Sequence, residues 1–212
     1  MNNGSDSRAL QTSAEKMNWW NIPNTITTAR IVLTIVLFVT LALHSQLGYF
    51  PSLVLFVIAA GTDWLDGFLA RRLHQVTALG RVLDPFADKL IICGTFVFLA
   101  ADPKMLETPG GLHPWIVVVI ISRELLITGL RSFLEGQTVD FSAKWSGKFK
   151  MAFQCILAIV AFLYLEGGGT PTQNAALWTL LVIFTYGTLI LTVYSGAAYV
   201  VIGLRQLRQL EA

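Results

Sequence analysis

Charge is scarce in this chain. Of its 212 residues only 13% are Asp, Glu, Lys or Arg while 54% are hydrophobic, and the mean hydropathy is +0.62. That balance argues against a soluble globular domain and for a membrane protein. The formal net charge is only +2, and the basic residues are spread over several loops instead of forming one block. The electrostatic footprint of nucleic-acid binding is therefore missing. Cysteine is nearly absent: Cys93 and Cys155 both lie in apolar stretches, where a thiol behaves as a small hydrophobe, so there is no disulfide framework. The histidines His44, His74 and His113 are scattered, show no Cys/His metal-binding spacing, and read as surface or loop residues. The start, MNNGSDSRALQTSAEKMN, lacks the apolar core and small-residue cleavage site of a signal peptide. Residues 1–16 are expected to form a polar, disordered cytoplasmic tail, and 17–212 a single integral membrane domain. No internal repeat or low-complexity tract breaks that domain.

Long apolar segments, by contrast, are abundant. Six can span a bilayer, at approximately Ile26–Leu43, Ser52–Ala70, Asp84–Ala101, Trp115–Leu134, Gly147–Leu165 and Ala175–Leu204. Most are near the roughly 20 residues that a spanning helix needs. The fold class expected is all-α, a polytopic six-transmembrane-helix bundle. Ahead of the first span, Met17–Asn24 pairs Trp19 and Trp20 with Pro23, which suits an aromatic element at the interface. The connections His44–Pro51 and Glu166–Asn174 carry the Gly, Pro and polar residues of turns. With the amino terminus inside, every Lys and Arg except Lys104 falls on the inner side or in the inner half. Both termini are then cytoplasmic.

The stretch Asp63–Asp88, DWLDGFLARRLHQVTALGRVLDPFAD, is where the charge is concentrated. It places Asp63, Asp66, Asp84 and Asp88 at or inside the ends of two apolar segments, where a lone charge at mid-bilayer costs roughly 2.5 to 3.5 kcal/mol on insertion scales. On helices, Asp63 and Asp66 stand at i and i+3 and Asp84 and Asp88 at i and i+4, so each helix turns two acids toward one side. A four-carboxylate cage of this kind suits hard divalent ions, Mg²⁺ or Mn²⁺, and four acids are enough for two of them. Gly67 and Ala70 leave room on the Asp63/Asp66 face, and Arg71 beside them suits phosphate oxygens. The combination describes phosphoryl transfer. Pro85 follows Asp84 directly, either in the first turn of the third helix or as a kink in a helix that began near Gly80.

The spacing D-x2-D-G-x2-A-R-x8-G-x3-D-x3-D, from Asp63 through Gly67, Ala70, Arg71 and Gly80 to Asp88, resembles the signature of the CDP-alcohol phosphatidyltransferases at all of its specified positions. At about one chance in twenty per position, coincidence is on the order of 10⁻¹⁰ per starting point. The resemblance implies that Asp63 and Asp84 bridge two ions, that Asp66 completes one site, and that Asp88 touches the other and acts as the base. It implies contacts to CDP-diacylglycerol from Gly67, Arg71 and Thr77, with Ala70 and Gly80 supplying space. PNTITTAR is similar to the segment that opens this family's first helix, and there Asn24 and Thr27 lie near the nucleotide.

The fourth span carries Arg123 and Glu124 well inside its apolar run, with Arg131 two turns beyond Arg123. An intramembrane Arg near a phosphate-handling site is a functional residue by default; the alternative for Arg123 is an internal ion pair with a neighbouring acid such as Glu124. SRELLITGLR followed by GKFKMAFQ is similar to the pattern of phosphatidylglycerophosphate synthases, where the basic residues are associated with sn-glycerol 3-phosphate, and Arg123, Arg131 and Lys148 are the matching positions. Met151 stands where a Thr is common in that pattern. Lys144 and Lys150 read as ordinary positive-inside residues. The resemblance implies transfer of the phosphatidyl group from CDP-diacylglycerol to sn-glycerol 3-phosphate with release of CMP, in phosphatidylglycerol and cardiolipin biosynthesis. It places the enzyme in a bacterial inner membrane with the active site facing the cytoplasm, and similar proteins are homodimers. Another acceptor, as in phosphatidylinositol phosphate or cardiolipin synthases, stays open. A divalent-ion transporter or an inactive lipid-binding scaffold lies outside the enzyme class, and a transporter would set its acids along a path near the midplane rather than at inner helix ends.

Overall fold

The computed structural model describes the backbone of residues 22–73, 78–135 and 145–210, and their side chains except those of 22–27, 63–85, 88, 131–148, 198 and 201–210. Every described element is an α-helix: α1 (Ile22–Ala42), α2 (His44–Leu47), α3 (Phe50–Leu73), α4 (Ala78–Ala100), α5 (Pro103–Glu107), α6 (Pro114–Glu135), α7 (Trp145–Glu166) and α8 (Ala175–Leu210). The expected tail 1–16 lies outside the described residues.

The apolar segments became helices, but their ends moved. α1 begins at Ile22, four residues before the expected span, so Ile22–Asn24 belong to the helix. Pro23 fits there because its fixed φ is already helical and its missing N–H falls in the first turn, where no intrahelical partner exists. α4 begins at Ala78, which decides between the two readings of Pro85: it sits inside the helix, where it cannot donate to the carbonyl of Arg81. α2 lies in the expected connection His44–Pro51, and α5 lies between the expected third and fourth spans. α5 forms because Asp102 caps it, accepting from Lys104 N at 2.9 Å with Pro103 at the first position. α7 stops at Glu166 because Gly168 adopts φ +105°, and Gly168 N and Gly169 N donate back to Leu165 O (3.2 Å) and Tyr164 O (3.0 Å). This pair of bonds satisfies carbonyls that the helix end leaves open, and only glycine takes the left-handed position without strain.

The distribution of polarity is inverted relative to a protein folded in water. Val32, Ile35 and Val39 on α1, Val118, Leu125 and Leu126 on α6, and Ile183, Ile190 and Val193 on α8 are all more than half exposed. Arg30, Thr34, Ser52, Thr95, Lys150, Gln154, Thr185, Thr188, Thr192 and Ser195 are buried. An apolar outer surface of that extent is stable only against lipid, and the chain is a membrane protein. Two segments, Phe149–Glu166 and Ala175–Ala197, are long and apolar enough to cross a bilayer by composition among the described residues. Thr28–Ala42, Phe50–Thr62 and Lys89–Ala100 are further, shorter apolar helical stretches among the described residues.

α1 packs on α3 and α4, α8 packs on α6 and α7, and α4 and α3 join the two groups through contacts with α6 and α7. The shared core holds Phe56, Phe96, Leu99, Ile116, Ile120, Leu157 and Phe162, all essentially inaccessible. At Gly94 on α4 a Cβ would overlap the Phe38 ring of α1.

At the end of the bundle where α3 starts and α7 stops, polar bonds tie the connections together. The Glu166 carboxylate accepts from Tyr49 N (2.6 Å) and Phe50 N (3.2 Å), capping α3 from the end of α7. The Tyr49 hydroxyl donates to Asp102 Oδ2, His44 Nε2 lies 3.5 Å from the same oxygen, and the His44 and Tyr49 rings stack at 5.0 Å. His44 is thus part of a packed cluster, not a loose loop histidine. Burial, then the hydrogen bond to Asp102 and the charges of Asp102 and Glu166, push the Tyr49 phenol well above its ordinary pKa. Its folded value lies above its unfolded one, so the stabilising protonated donor is fully present below the ordinary phenol pKa and is lost only in strong alkali. Asp102→Ala removes the α5 cap and leaves the Tyr49 hydroxyl buried without an acceptor. It is expected to cost about 2 to 4 kcal/mol, read as a lowered midpoint in thermal unfolding of the detergent-solubilised protein.

Candidate active site

Asp63 and Asp66 stand in the last half of α3, and Asp84 and Asp88 in the first half of α4. Only positions 74–77 separate the two helices, so the acids fall on the helix ends that the chain itself joins. The helical backbone is continuous through both pairs, which keeps each pair within one turn on its own helix. The side chains of Asp63, Asp66, Gly67, Ala70, Arg71, Gly80, Asp84 and Asp88 lie outside the described residues, as do those of Asn24, Thr27, Arg131 and Lys148, and Thr77 altogether. Among the described residues no group of three or more His, Cys, Asp or Glu comes together. A donor set made only of carboxylates, carried at these two joined ends, fits a hard divalent cation.

Arg123 is the one predicted site residue whose side chain is described, and its setting is specific. It leaves α6 with 11% of its side chain exposed. Its Nη2 donates to Ser195 Oγ on α8 at 3.0 Å, and its Nη1 lies 3.4 Å from Glu124 Oε1. The guanidinium also stands over the Tyr199 ring, 5.8 Å from its centre, an arrangement in which the ring face attracts the cation. The packing is tight enough that a Cβ at Gly196 would lie 3.1 Å from Arg123 Cγ. The ion pair with Glu124 that the sequence offered as the alternative is therefore formed, and a second helix holds the same guanidinium.

Lys150 corrects the sequence reading. It had been assigned to an ordinary cluster of interfacial lysines, yet it is 5% exposed and its Nζ meets the same Glu124 Oε1. Register explains this: α7 begins at Trp145, so Lys150 lies past the first turn on the face that meets α6 and α4. Lys89, which follows Asp88 on α4, and Arg123 are both near enough to Lys150 to oppose its charge. Cys93 lies one turn beyond Lys89 on the same helix and is half-buried. The carboxylate-bearing helix α4 and the basic helices α6 and α7 thus converge on one place. Among the described residues, Glu124 is the acid that stands there with these cations.

Sequence reasoning also passed over Ser195, Gln154 and Arg30. Arg30 is 3% exposed on α1, and a charge within an apolar helix was the signal that could have found it. Ser195 and Gln154 carried no such signal, because an isolated small polar residue in an apolar helix is commonly satisfied by its own backbone. Here Gln154 is 3% exposed with no hydrogen-bond partner for its Nε2, and Thr188 and Thr192 Oγ1 are equally buried and unpartnered. These groups lie on α7 and α8, one or two turns from Lys150 and Ser195.

Comparison with known proteins bears directly on this arrangement. Residues 20–194 match the family model described as CDP-alcohol phosphatidyltransferase. A CDP-diacylglycerol–glycerol-3-phosphate 3-phosphatidyltransferase of Bacillus subtilis (strain 168) is 35% identical over 175 residues, covering 75% of this chain and 86% of that protein. The enzyme of that name from Haemophilus influenzae is 31% identical over 185 residues, covering 85% of this chain and 91% of its own. The one from Rickettsia bellii is 33% identical over 147 residues, covering 69% and 77%. The matched region takes in α1 to α7, both acid-bearing helix ends and the Arg123–Glu124–Lys150 group, and the chain belongs to the CDP-alcohol phosphatidyltransferase family.

Proposed function

We propose that this protein transfers the phosphatidyl group of CDP-diacylglycerol to sn-glycerol 3-phosphate, giving phosphatidylglycerol phosphate and CMP. The observation that carries the choice of acceptor is the buried cationic group at the meeting of α4, α6 and α7. Arg123 and Lys150 share one carboxylate oxygen of Glu124, which leaves that trio with net positive charge. A dianionic phosphate is the ligand that such a site rewards, since charge-assisted hydrogen bonds strengthen where water is excluded. A neutral alcohol gains nothing from it. The relatives' names, which specify glycerol 3-phosphate for those proteins, agree with this choice.

In the proposed reaction Arg123, Arg131 and Lys148 hold the acceptor's phosphate and aim its free hydroxyl at the pyrophosphate. Gly67, Ala70, Arg71, Thr77 and Gly80, with Asn24 and Thr27, receive the cytidine nucleotide. Asp88 takes the proton as the hydroxyl oxygen bonds to the β-phosphorus and the bond to the CMP oxygen breaks, with CMP leaving on that electron pair. Asp63, Asp66, Asp84 and Asp88 would hold two Mg²⁺ or Mn²⁺ ions. Bound there, the ions would supply Lewis-acid polarisation of the phosphoryl oxygens. The six long helices serve as six spans with both termini cytoplasmic, in a bacterial inner membrane. Soluble acceptor and CMP then exchange at the cytoplasmic face while the acyl chains stay in lipid. A homodimer is the proposed assembly.

Three measurements test this reading. Asp63→Asn and Asp84→Asn are each expected to lower CMP release by about a hundredfold or more at saturating Mg²⁺ or Mn²⁺ without unfolding the protein; retention of substantial turnover by either removes the two-ion site. Arg131→Ala is expected to raise the KM for sn-glycerol 3-phosphate, because a charge-assisted hydrogen bond contributes about 1.5 to 3 kcal/mol, with little change in the KM for CDP-diacylglycerol. Arg71→Ala should do the reverse, and wild-type protein that releases CMP with inositol phosphate instead would change the acceptor. For orientation, a cysteine placed at Gln75 should react with an impermeant thiol reagent only after cells are opened, whereas one at Gly168 should react in intact cells.

A further inference from the structure

Glu124 is the one acid in the described part of the basic group, and it is placed to do something that neither cation can do alone. It follows Arg123 on α6, so the two side chains leave the helix about 100° apart. Arg123 turns to α8, where its Nη2 meets Ser195 Oγ at 3.0 Å, and Ser195 Oγ in turn reaches Thr192 O at 3.2 Å. Glu124 turns to α7, where its Oε1 receives Lys150 Nζ while staying 3.4 Å from Arg123 Nη1. One oxygen thus gathers cations from two helices. Without it, Arg123 and Lys150 would repel each other in a medium that screens poorly.

Stability alone does not account for the group. Burying two cations on one acid costs desolvation that the mutual attraction does not fully return, and an apolar trio of similar size would hold the helices at least as well. Nor is the group saturated: Arg123 Nε is buried and has no hydrogen-bond partner. The trio therefore retains both net charge and an unused donor.

We propose that Glu124 is a positioning residue for the acceptor's phosphate. By holding Lys150 against Arg123, it fixes two cations from different helices at one spacing, so that an incoming phosphate dianion meets an arranged set of donors rather than two mobile side chains. This rests on the phosphorylated-acceptor reading given above. Glu124 does not touch the reacting atoms, and the benefit it gives appears in acceptor binding.

The test is steady-state kinetics of the full-length protein in mixed micelles containing CDP-diacylglycerol and Mg²⁺, with sn-glycerol 3-phosphate varied, alongside thermal unfolding of each variant. Glu124→Gln keeps the shape and removes the charge. It is expected to raise the KM for the acceptor about tenfold, to leave the KM for CDP-diacylglycerol unchanged, and to lower kcat at saturating acceptor by much less. Glu124→Asp, which keeps the charge on a shorter stem, is expected to recover a large part of that loss. Inorganic phosphate should compete with the acceptor on wild-type protein and compete about tenfold less well on Glu124→Gln. The proposal is overturned if Glu124→Gln shifts both KM values together, or if it lowers only the unfolding midpoint while folded molecules keep wild-type constants. Should wild-type protein turn over inositol phosphate and not sn-glycerol 3-phosphate, the acceptor assignment alone falls, and the same split measured with inositol phosphate decides the role of Glu124. Turnover of a neutral acceptor only, with no inhibition by phosphate, overturns both.

Discussion

A charged side chain within a bilayer has to find its partner inside the protein, because hydrocarbon offers none. That constraint is visible in the charges buried between α6, α7 and α8. Arg123 is held by Glu124, Ser195 and the face of Tyr199, and Lys150 by the same Glu124. Meanwhile Val32, Leu125 and Ile190 face outward without cost. In water the same arrangement would be inverted. The packing of α6 against α8, and the Glu124–Lys150 bridge from α6 to α7, are thus as much a matter of satisfying charge as of filling space.

The two ends of the bundle solve different problems. Where α3 starts and α7 stops, Asp102, Tyr49, His44 and Glu166 use their hydrogen-bonding capacity on one another and on helix termini. That end is closed, and the left-handed glycines after Glu166 finish it compactly. At the other end Asp63, Asp66, Asp84 and Asp88 sit on the joined ends of α3 and α4, and Arg123 keeps a buried donor unused. α4 links the two. It carries acids on one stretch, Lys89 and Cys93 on the next, and then Gly94, Phe96 and Leu99, which pack it against its neighbours. A helix that runs from the core to the proposed site is a sound support for groups that must be placed to within fractions of an ångström.

Helices were legible because apolar runs of about 20 residues have few other destinies. Their boundaries were less so. Ala78 opens α4 six residues before the expected start at Asp84, because the apolar residues Ala78, Leu79, Val82 and Leu83 ahead of it continue the helix and the charge of Arg81 does not end it. α5 was invisible to hydropathy because five residues held by one Asp cap carry no periodic pattern. Lys150 was misplaced for a different reason. Three lysines in KWSGKFK look alike in sequence, and only the helical register of α7 against α4 and α6 buries the last of them.

The sequence by itself determined the solvent and the helical class, and it singled out the four carboxylates proposed here as metal ligands. Each of those follows from the type of residue and its spacing along one chain: the scarcity of charge, the apolar runs, and carboxylates repeating at i+3 and i+4. Tertiary structure alone decided which charges meet. Arg123 and Ser195 are separated by 72 positions and Glu124 and Lys150 by 26, and no spacing rule spans such distances. Their contacts exist because α6 and α7 both pack against α8 and α4, which brings facing side chains together across the bundle. The physical reason is that an ion pair's energy depends on separation in space, which is set by helix packing and not by position in the chain.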